Sequence, residues 1–195
     1  MTTAMQASIR TVMKRWLCGV ALCAVCAGNF SLRAVQMEPL SIERLVQESA
    51  LVVRGAVLSK SCQRDPEGRI YTKVELQITE VWKGALATNR FTLVHGGGIL
   101  GDRKATVSGQ VEYAIGEEIV AFLVVNQRGE GVTLGLSQGK FHVESGSRPG
   151  EEFVHNPFHG TPNSRSQTIV QSARLPTQAR LTLAELKRSV RGGNP

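Results

Sequence analysis

The sequence predicts a mainly β protein, a small closed barrel with a short helix on either side. Residues 70–81 alternate between apolar and polar side chains. A strand of that length spans roughly 40 Å, so it has to curl and serve two faces of a small barrel. Residues 51–58 form a largely apolar run rich in β-branched side chains, a composition typical of a strand buried on both faces. Residues 118–125 form the most hydrophobic predicted strand.

A short helix is predicted before the first strand. Ser41 is a candidate N-cap, and Ile42, Leu45 and Val46 fall on one helical face. The helix is expected to end near Ser49, where the apolar period changes from helical to extended.

The strands follow in chain order. The polar stretch 59–68 is expected to be a loop that closes with a turn at 65–68. Beyond the long strand, 96–101 is a glycine-rich connection, and 132–136 is expected to pair directly with 140–143. The predicted strands after the long one are 91–95, 104–107, 118–125, 132–136, 140–143 and 152–155, the last returning as a hairpin.

The C-terminal part divides into a linker and a helix. Residues 157–179 are rich in Pro, Ser, Thr, Gln and Asn and offer few anchors for a core, so they are predicted to be disordered. Thr182 and Glu185 form a capping box for a helix within 180–191, and Gly192 lies just past its end.

The first residues have the pattern of an export signal. Arg10, Lys14 and Arg15 precede an apolar run at 16–27 that ends in small residues and is too short to span a bilayer. The predicted organisation is therefore a signal peptide at 1–27, a flexible lead-in at 28–39, a helix-plus-barrel module at 40–156, a linker at 157–179 and a helix at 180–191. The protein is expected to be exported, either periplasmic or secreted.

Charge and cysteine content narrow the partners. The net charge is +7 at pH 7, but the basic residues are scattered and lack interleaved aromatics, so nucleic acid is not an expected partner. No second apolar run reaches membrane-spanning length. Three of the four cysteines lie within the signal, which leaves Cys62 alone and precludes an internal disulfide.

Several motifs resemble catalytic or ligand-binding sequences, but their context argues against each. Gly135-Leu136-Ser137-Gln138-Gly139 matches the nucleophile elbow of serine hydrolases, yet a strand pattern follows where the elbow needs a helix. Residues 96–101 match G-x-G-x-x-G, again without a following helix. His155 and His159 have zinc-ligand spacing, but Pro157 would break the helix they need. No catalytic residue, metal or cofactor is predicted.

Candidate binding residues lie in two connections. Cys62 is a candidate reactive thiol because Lys60 and Arg64 flank it, an arrangement typical of reactive cysteines. An inert surface thiol remains the alternative for Cys62. We expect the thiol to be capped in a monomer, since a symmetric pair would bring the flanking cations together. The glycine-rich connection supplies the other candidates, Gly96, Gly97, Gly98 and Gly101.

Residues 50–144 resemble a module of exported bacterial proteins that stands alone or ahead of matrixin-type zinc peptidases and has no assigned activity. The shared motifs are Val53-Arg54-Gly55, Gly68-Arg69-Ile70-Tyr71-Thr72, Trp82-Lys83-Gly84, Gly97-Gly98, Gly116-Glu117-Glu118 and Gln138-Gly139-Lys140-Phe141. One departure is Val111, which stands where the module often has proline.

The same stretch is similar to the N-terminal domain of tissue inhibitors of metalloproteinases, a netrin-like OB-fold barrel. The resemblance rests on the first strand, the Lys83-Gly84 turn and the approach 116–118 to the apolar strand. It implies a small OB-like, netrin-like closed barrel. Those inhibitors chelate zinc through an N-terminal cysteine, which this chain lacks after signal removal.

The sequence therefore predicts an exported, non-catalytic binding module whose partner is a protein at the cell envelope or outside the cell. The alternative is an inhibitor or accessory partner of an extracellular metallopeptidase, which follows from the resemblance. A serine hydrolase at Ser137 is the third possibility.

Overall fold

Alternating apolar side chains on strands account for most of the architecture. The structure is a computed structural model and describes residues 38–160 and 180–192. In chain order its elements are helix α1 (Ile42–Glu48), strands β1 (Leu51–Arg64), β2 (Ile70–Lys83), β3 (Arg90–Gly96), β4 (Gly98–Leu100), β5 (Arg103–Ala105), β6 (Glu118–Val125) and β7 (Gly131–Thr133), a 3-10 helix (Leu136–Gly139), strands β8 (Lys140–Ser145) and β9 (Glu152–His155), and helix α2 (Leu183–Gly192). The protein is mainly β, as predicted.

Three of the predicted segments fall wholly or mostly outside the described residues. They are the signal peptide at 1–27, the lead-in at 28–39 apart from its last two residues, and the linker from 161 onward. All elements named above belong to one unit, Pro39–Pro195.

The sheet closes on itself. Seven strands follow the order β1-β2-β3-β7-β6-β8-β9, and β1 also pairs with β6, so β1, β2, β3, β7 and β6 form a ring. The pairing of β3 with β7 is parallel, and the other pairings are antiparallel. Strands β4 and β5 form a separate two-stranded hairpin.

The expected direct pairing of 132–136 with 140–143 is wrong. Both strands pair with β6 instead, β7 through partners such as Leu123↔Thr133 and β8 through partners such as Ile119↔His142. The 3-10 helix between them moves the chain along β6, so the two strands occupy different stretches of β6 rather than lying side by side.

The expected loop at 59–68 is also wrong over most of its length. Strand β1 continues to Arg64 and pairs with β2 from Ser59↔Glu75 to Arg64↔Ile70. Its polar side chains are mostly exposed there, and polarity alone does not distinguish a loop from a strand that faces solvent. The turn that joins β1 to β2 does lie at 65–69, where Asp65 N–H donates to Arg69 O at 3.0 Å.

Two apolar layers stabilise the ring. Alternate side chains of β1 and β6, among them Val53, Val57 and Ile119, point into the ring and are at most 1% exposed. The intervening side chains point outward against the helices; Val120 is an example. Both faces of these strands are therefore buried, as the apolar run at 51–58 predicted for β1. The outer layer packs around Leu45, Val52, Val120, Phe122, Phe141, Val154, Leu183, Leu186 and Val190.

Both helices begin with the predicted caps. Ser41 Oγ accepts a hydrogen bond from Arg44 N at 3.2 Å. In the capping box, Glu185 N donates to Thr182 Oγ1 at 3.2 Å and Thr182 N donates to Glu185 Oε2 at 2.9 Å. The segment before α2 also covers the outer edge of β9, because Val154 N donates to Leu181 O at 2.9 Å and Phe153 forms a β-bridge with Thr182.

The ring requires glycine where β1 passes closest to β2. The register of this pair shifts between Arg54 and Gly55, and a Cβ on Gly55 would collide with the carbonyl oxygen of Gln77. We expect Gly55→Ala to lower the free energy of unfolding by about 1–3 kcal/mol, the usual cost of overpacking, as measured by urea denaturation.

A matched variant separates this collision from the general effect of adding a methyl group. Gly192→Ala places its Cβ in open space at the end of α2 and should leave stability unchanged or slightly higher. Equal stability of the two variants would contradict a close approach at Gly55.

Candidate functional site

A cleft of about 450 Å³ opens at one end of the ring. Its walls are the last residues of β1, the first of β2, the end of β3, the β4–β5 hairpin and the segment 106–113. The cleft brings together five of the residues singled out from the sequence: Lys60, Cys62, Gly96, Gly97 and Gly98. The other two, Arg64 and Gly101, do not line it.

Glycines allow the β4–β5 hairpin to lie against the inner face of the sheet. Gly98 has a φ of +136°, and a Cβ there would lie 2.6 Å from Cys62 Sγ. Gly97 has a φ of +79°, and its carbonyl accepts a hydrogen bond from Thr72 Oγ1 at 2.8 Å. The glycine-rich connection is therefore a tight passage from β3 into β4, which only residues without a side chain can follow.

Cys62 lies on a strand, not in the expected loop. It faces Thr72 across the β1–β2 pair, its Sγ lies 3.4 Å from Thr72 Oγ1, and it is half-buried in the wall of the cleft. Arg64 is exposed two residues further along the same strand, and Gly101 sits in the open turn between β4 and β5.

Aromatic side chains form the bottom of the cleft. The rings of His95 and Tyr113 stack with centroids 6.1 Å apart. Burial raises the pKa of Tyr113 far above its usual value, and the Tyr113 hydroxyl lies 2.5 Å from Thr133 Oγ1. Burial lowers the pKa of His95, although the Gly96 carbonyl beside its Nδ1 acts in the opposite direction. His95 is therefore neutral at pH 7.

Two lysines lie at the mouth of the cleft. Lys60 and Lys104 line the cleft and are exposed. Neither forms an ion pair with another residue in the described ranges. The acidic side chain in the lining is that of Glu112, which is also exposed. The mouth of the cleft can thus attract an anionic group by charge.

A buried ion pair lies behind Tyr113. Lys140 is 4% exposed; its Nζ donates to Glu117 Oε2 at 2.8 Å and to Glu112 O at 2.5 Å, and lies 4.8 Å from the centre of the Tyr113 ring. Burial lowers the pKa of Lys140, and the attraction of Glu117 only partly offsets this. This lysine is held in place by its neighbours and is not free to bind a ligand.

Glu117 completes the pair from a turn. Burial alone would raise the pKa of Glu117. The hydrogen bond from Ala114 N–H and the ammonium of Lys140 together lower it by more, so the pKa lies below its ordinary value of 4.5. Glu117 Oε1 contacts His142 Nδ1 outside hydrogen-bonding geometry. Burial also lowers the pKa of His142.

A second cleft of about 430 Å³ adjoins the first and shares His95, Gly96 and Gln110 with it. It lies between the β1–β2 turn and the connection from β6 to β7. Its outer wall includes Tyr71 and Arg128, whose guanidinium carbon is 5.9 Å from the centre of the Tyr71 ring. The two clefts together form a continuous recessed surface across β2 and β3.

The motifs with catalytic spacing adopt other structures. Ser137 lies in the 3-10 helix between two strands, where an elbow would need a strand followed by an α-helix. Residues 96–101 run from β3 into a β-hairpin. His155 lies on β9, with Nε2 2.8 Å from Glu144 Oε1. His159 Nε2 lies 2.8 Å from Leu40 O.

The motif residues shared with the exported module make structural contacts. Arg54 donates to Glu118 Oε1 at 2.7 Å and to Glu152 Oε1 at 2.5 Å, which ties β1 to β6 and β9. In Gln138-Gly139-Lys140-Phe141, Gln138 accepts from Leu40 N at 2.6 Å, Lys140 pairs with Glu117 and Phe141 is fully buried.

Sequence reasoning missed several residues of the cleft. The sequence contains four histidines, and no motif distinguishes His95 among them; Tyr113 lies outside every predicted strand. One residue could have indicated the cleft from the sequence. Thr72 carries a polar side chain at a position of β2 where the alternation predicts an inward, apolar one. A polar residue at an inward position marks the point where the interior of the ring stops being purely apolar.

Among residues 38–160 and 180–192, no helix is long and apolar enough to cross a membrane. The same residues hold no group of three or more His, Cys, Asp or Glu side chains arranged to bind a metal ion.

Glu117→Gln should destabilise the protein in a pH-dependent way. The substitution removes the charge that compensates buried Lys140, and we expect a loss of roughly 3 kcal/mol at pH 7. Because the pKa of Glu117 is lowered in the folded state, its contribution is complete above pH 4.5 and disappears as the pH falls through the folded-state pKa.

Urea denaturation of both proteins at pH 7 and at pH 3 measures this difference. The gap between wild type and Glu117→Gln should narrow at pH 3. Glu67→Gln, at a side chain that is 64% exposed, is the control and should change little at either pH. A gap that is the same at both pH values would contradict a native carboxylate at position 117.

Cys62 should react with a thiol reagent in the native protein, but more slowly than in the unfolded chain, since it is half-buried beside Thr72. Timed maleimide labelling with and without urea measures the two rates. On a non-reducing gel we expect a monomer. A main dimer band that disappears with reductant and is missing in Cys62→Ser would contradict that expectation.

Neither a scan against protein-family models nor a search of the curated proteins gave a match for this chain.

Proposed function

We propose that this protein is an exported, non-catalytic binding module built on an OB-like barrel, and that its ligand is a protein at the cell envelope or outside the cell. The observation that carries the proposal is the recessed surface across β2 and β3. It combines two adjoining clefts of about 450 and 430 Å³ with exposed cations that have no acidic partner in the described part of the chain.

The strand order supports the OB-like barrel. Strands β1, β2 and β3 are consecutive antiparallel neighbours, and β6 returns after a long connection to lie beside β1. This is a Greek-key arrangement. Strand β7 then fills the gap between β6 and β3, which gives a ring of five strands, the number found in OB-fold barrels.

The position of the clefts supports binding. OB-fold barrels bind ligands on the face of their second and third strands and on the loops after the first and fourth strands. Counted along the ring, these are β2, β3, the turn at 65–69 and the connection between β6 and β7. The second cleft lies between that turn and that connection, and the first adjoins it.

Export follows from the charged start, the apolar run and the small residues of 1–27. A single remaining cysteine flanked by cations favours a monomer over a disulfide-linked pair. Both statements come from the sequence.

The alternatives have less support. Inhibition of an extracellular metallopeptidase rests on resemblance, and Cys62, the cysteine that would have to act, lies on a strand inside the cleft rather than at a chain end. Hydrolysis at Ser137 would need a base, and no hydrogen bond joins Ser137 to a histidine in the described ranges.

Affinity capture tests the proposed function. The purified chain, immobilised through its C-terminus, is exposed to the extracellular and periplasmic fractions of its own source. Wild type should retain a protein that Lys60→Glu/Lys104→Glu loses, because reversing both charges at the mouth of the cleft repels an anionic ligand. Arg90→Glu/Arg148→Glu carries the same charge change on exposed residues outside the cleft and should still bind.

The identity of the retained protein separates the alternatives. A zinc endopeptidase whose activity falls on titration with this protein would favour the inhibitor hypothesis. If wild type and Lys60→Glu/Lys104→Glu retain the same proteins, the cleft is not the binding site and the proposal is wrong.

A further inference from the structure

The second half of β1 has an unpaired edge. Strand β1 pairs with β6 only from Leu51 to Ala56, and the backbone of Val57 makes the last contacts on that side, to Glu117 O at 2.9 Å and from Gly116 N at 2.8 Å. From 58 to 64 the strand pairs with β2 alone. No described residue pairs with its other side.

The orientation of the free backbone groups follows from the turn. Asp65 N–H points toward β2, since it donates to Arg69 O. Backbone groups alternate sides along a strand, so the N–H and C=O of Lys60, Cys62 and Arg64 point away from β2 toward the open side. These three N–H and three C=O groups therefore lie along one edge of β1, with the spacing needed to pair with another strand.

The side chains of the same three residues share one face of the sheet. They lie opposite Val74, Thr72 and Ile70 of β2, on the face that continues into the cleft. Lys60 and Arg64 are exposed, and neither forms an ion pair with another described residue. Lys104 adds a third such cation across the cleft.

We propose that an extended acidic segment of a partner protein adds to this edge as a further antiparallel or parallel strand. Its backbone would bond to Lys60, Cys62 and Arg64, and its carboxylates would face Lys60 and Arg64. This inference rests on the proposed binding function and names the kind of ligand. Strand addition to an exposed sheet edge is a general mode of peptide recognition, in which the backbone supplies affinity and alternate side chains supply specificity.

Charge decides between the possible occupants. A second copy paired through the same edge would bring two Lys60 and two Arg64 side chains together, and like charges across a strand pair are destabilising. The segment 161–179 of this chain carries Arg165 and Arg174 and no acidic residue, so it is repelled in the same way. A partner strand with acidic residues at alternate positions complements the edge.

The position opposite Cys62 adds a size requirement. Its Sγ lies 3.4 Å from Thr72 Oγ1, and a Cβ built on Gly98 would be 2.6 Å from the same sulfur, so the β4–β5 hairpin narrows the space beside Cys62. The partner residue between the two carboxylates is therefore small, and the expected pattern is acid, spacer, small residue, spacer, acid.

Fluorescence anisotropy with synthetic peptides tests the proposal on the full chain, kept reduced. The probe is a labelled nine-residue peptide with this pattern, Thr-Glu-Thr-Ala-Thr-Glu-Thr-Ala-Thr. Its controls are the same peptide with Lys in place of Glu, and two versions N-methylated at either the odd or the even residues. Because only alternate amides face the sheet edge, strand addition predicts that one methylated version loses binding and the other retains it.

Protein variants test the charges and the edge separately. Lys60→Glu/Arg64→Glu should bind the acidic peptide roughly tenfold more weakly and should gain binding to the lysine peptide. Cys62→Pro removes one outward N–H without touching the β1–β2 hydrogen bonds and should also weaken binding, provided that its circular dichroism and melting match wild type. Arg90→Glu/Arg148→Glu should bind like wild type.

Three outcomes would overturn the proposal. Equal binding of both methylated peptides would mean that charge attracts the peptide without strand pairing. Loss of binding in Arg90→Glu/Arg148→Glu alone would place the site elsewhere. No binding of the acidic peptide, while affinity capture still retains a protein that depends on Lys60 and Lys104, would leave the binding module standing and rule out strand addition at this edge.

Discussion

The ring closes through the pairing of β1 with β6, and this pairing stops at Val57. Up to that point β1 has a neighbour on each side and apolar side chains on both faces. Beyond it the same strand keeps only β2. The end of closure therefore creates three features at once: the open end of the ring, the wall of the cleft and a row of unpaired backbone groups.

Two charge networks hold that closure in place, a partly exposed one around Arg54 and a buried one around Lys140. Arg54 donates hydrogen bonds to Glu118 on β6 and to Glu152 on β9, and its Nη1 lies 3.5 Å from Glu80 Oε1 on β2. Lys140 on β8 holds Glu117 in the turn that leads into β6. Removing Glu117 would leave Lys140 charged and buried, which is costly. These ion pairs account for the charged residues that sit among the apolar strands.

The parts of the structure that depend on local period could be predicted from the sequence. The two helix caps, the alternation of β2 and the two-sided burial of β1 can each be recognised from the pattern of a few neighbouring residues. The extension of β1 to Arg64 has no such local pattern. Its polar residues form a strand only because they pair with β2. Strands β7 and β8 both pair with β6 because of the 3-10 helix between them. No sequence pattern predicts the geometry of that helix.

The cleft was predictable only in pieces. The sequence indicates Cys62 as a lone thiol and Gly98 as part of a glycine-rich connection, for unrelated reasons. Their proximity depends on how the β4–β5 hairpin folds back. Lys140 and Glu117 are far apart in sequence and carry no periodic signal that joins them. Contacts of this kind follow from topology, which becomes visible only when the strand order is known.

The cover over β9 limits assembly through that edge of the sheet. Leu181 and Thr182 occupy the outer side of β9, so this end of the sheet offers no second docking position. A protein with two open sheet ends can join head to tail without limit and form fibres. Here the covered edge of β9 cannot accept a strand from a second copy of this protein, so chains of copies cannot grow through β9.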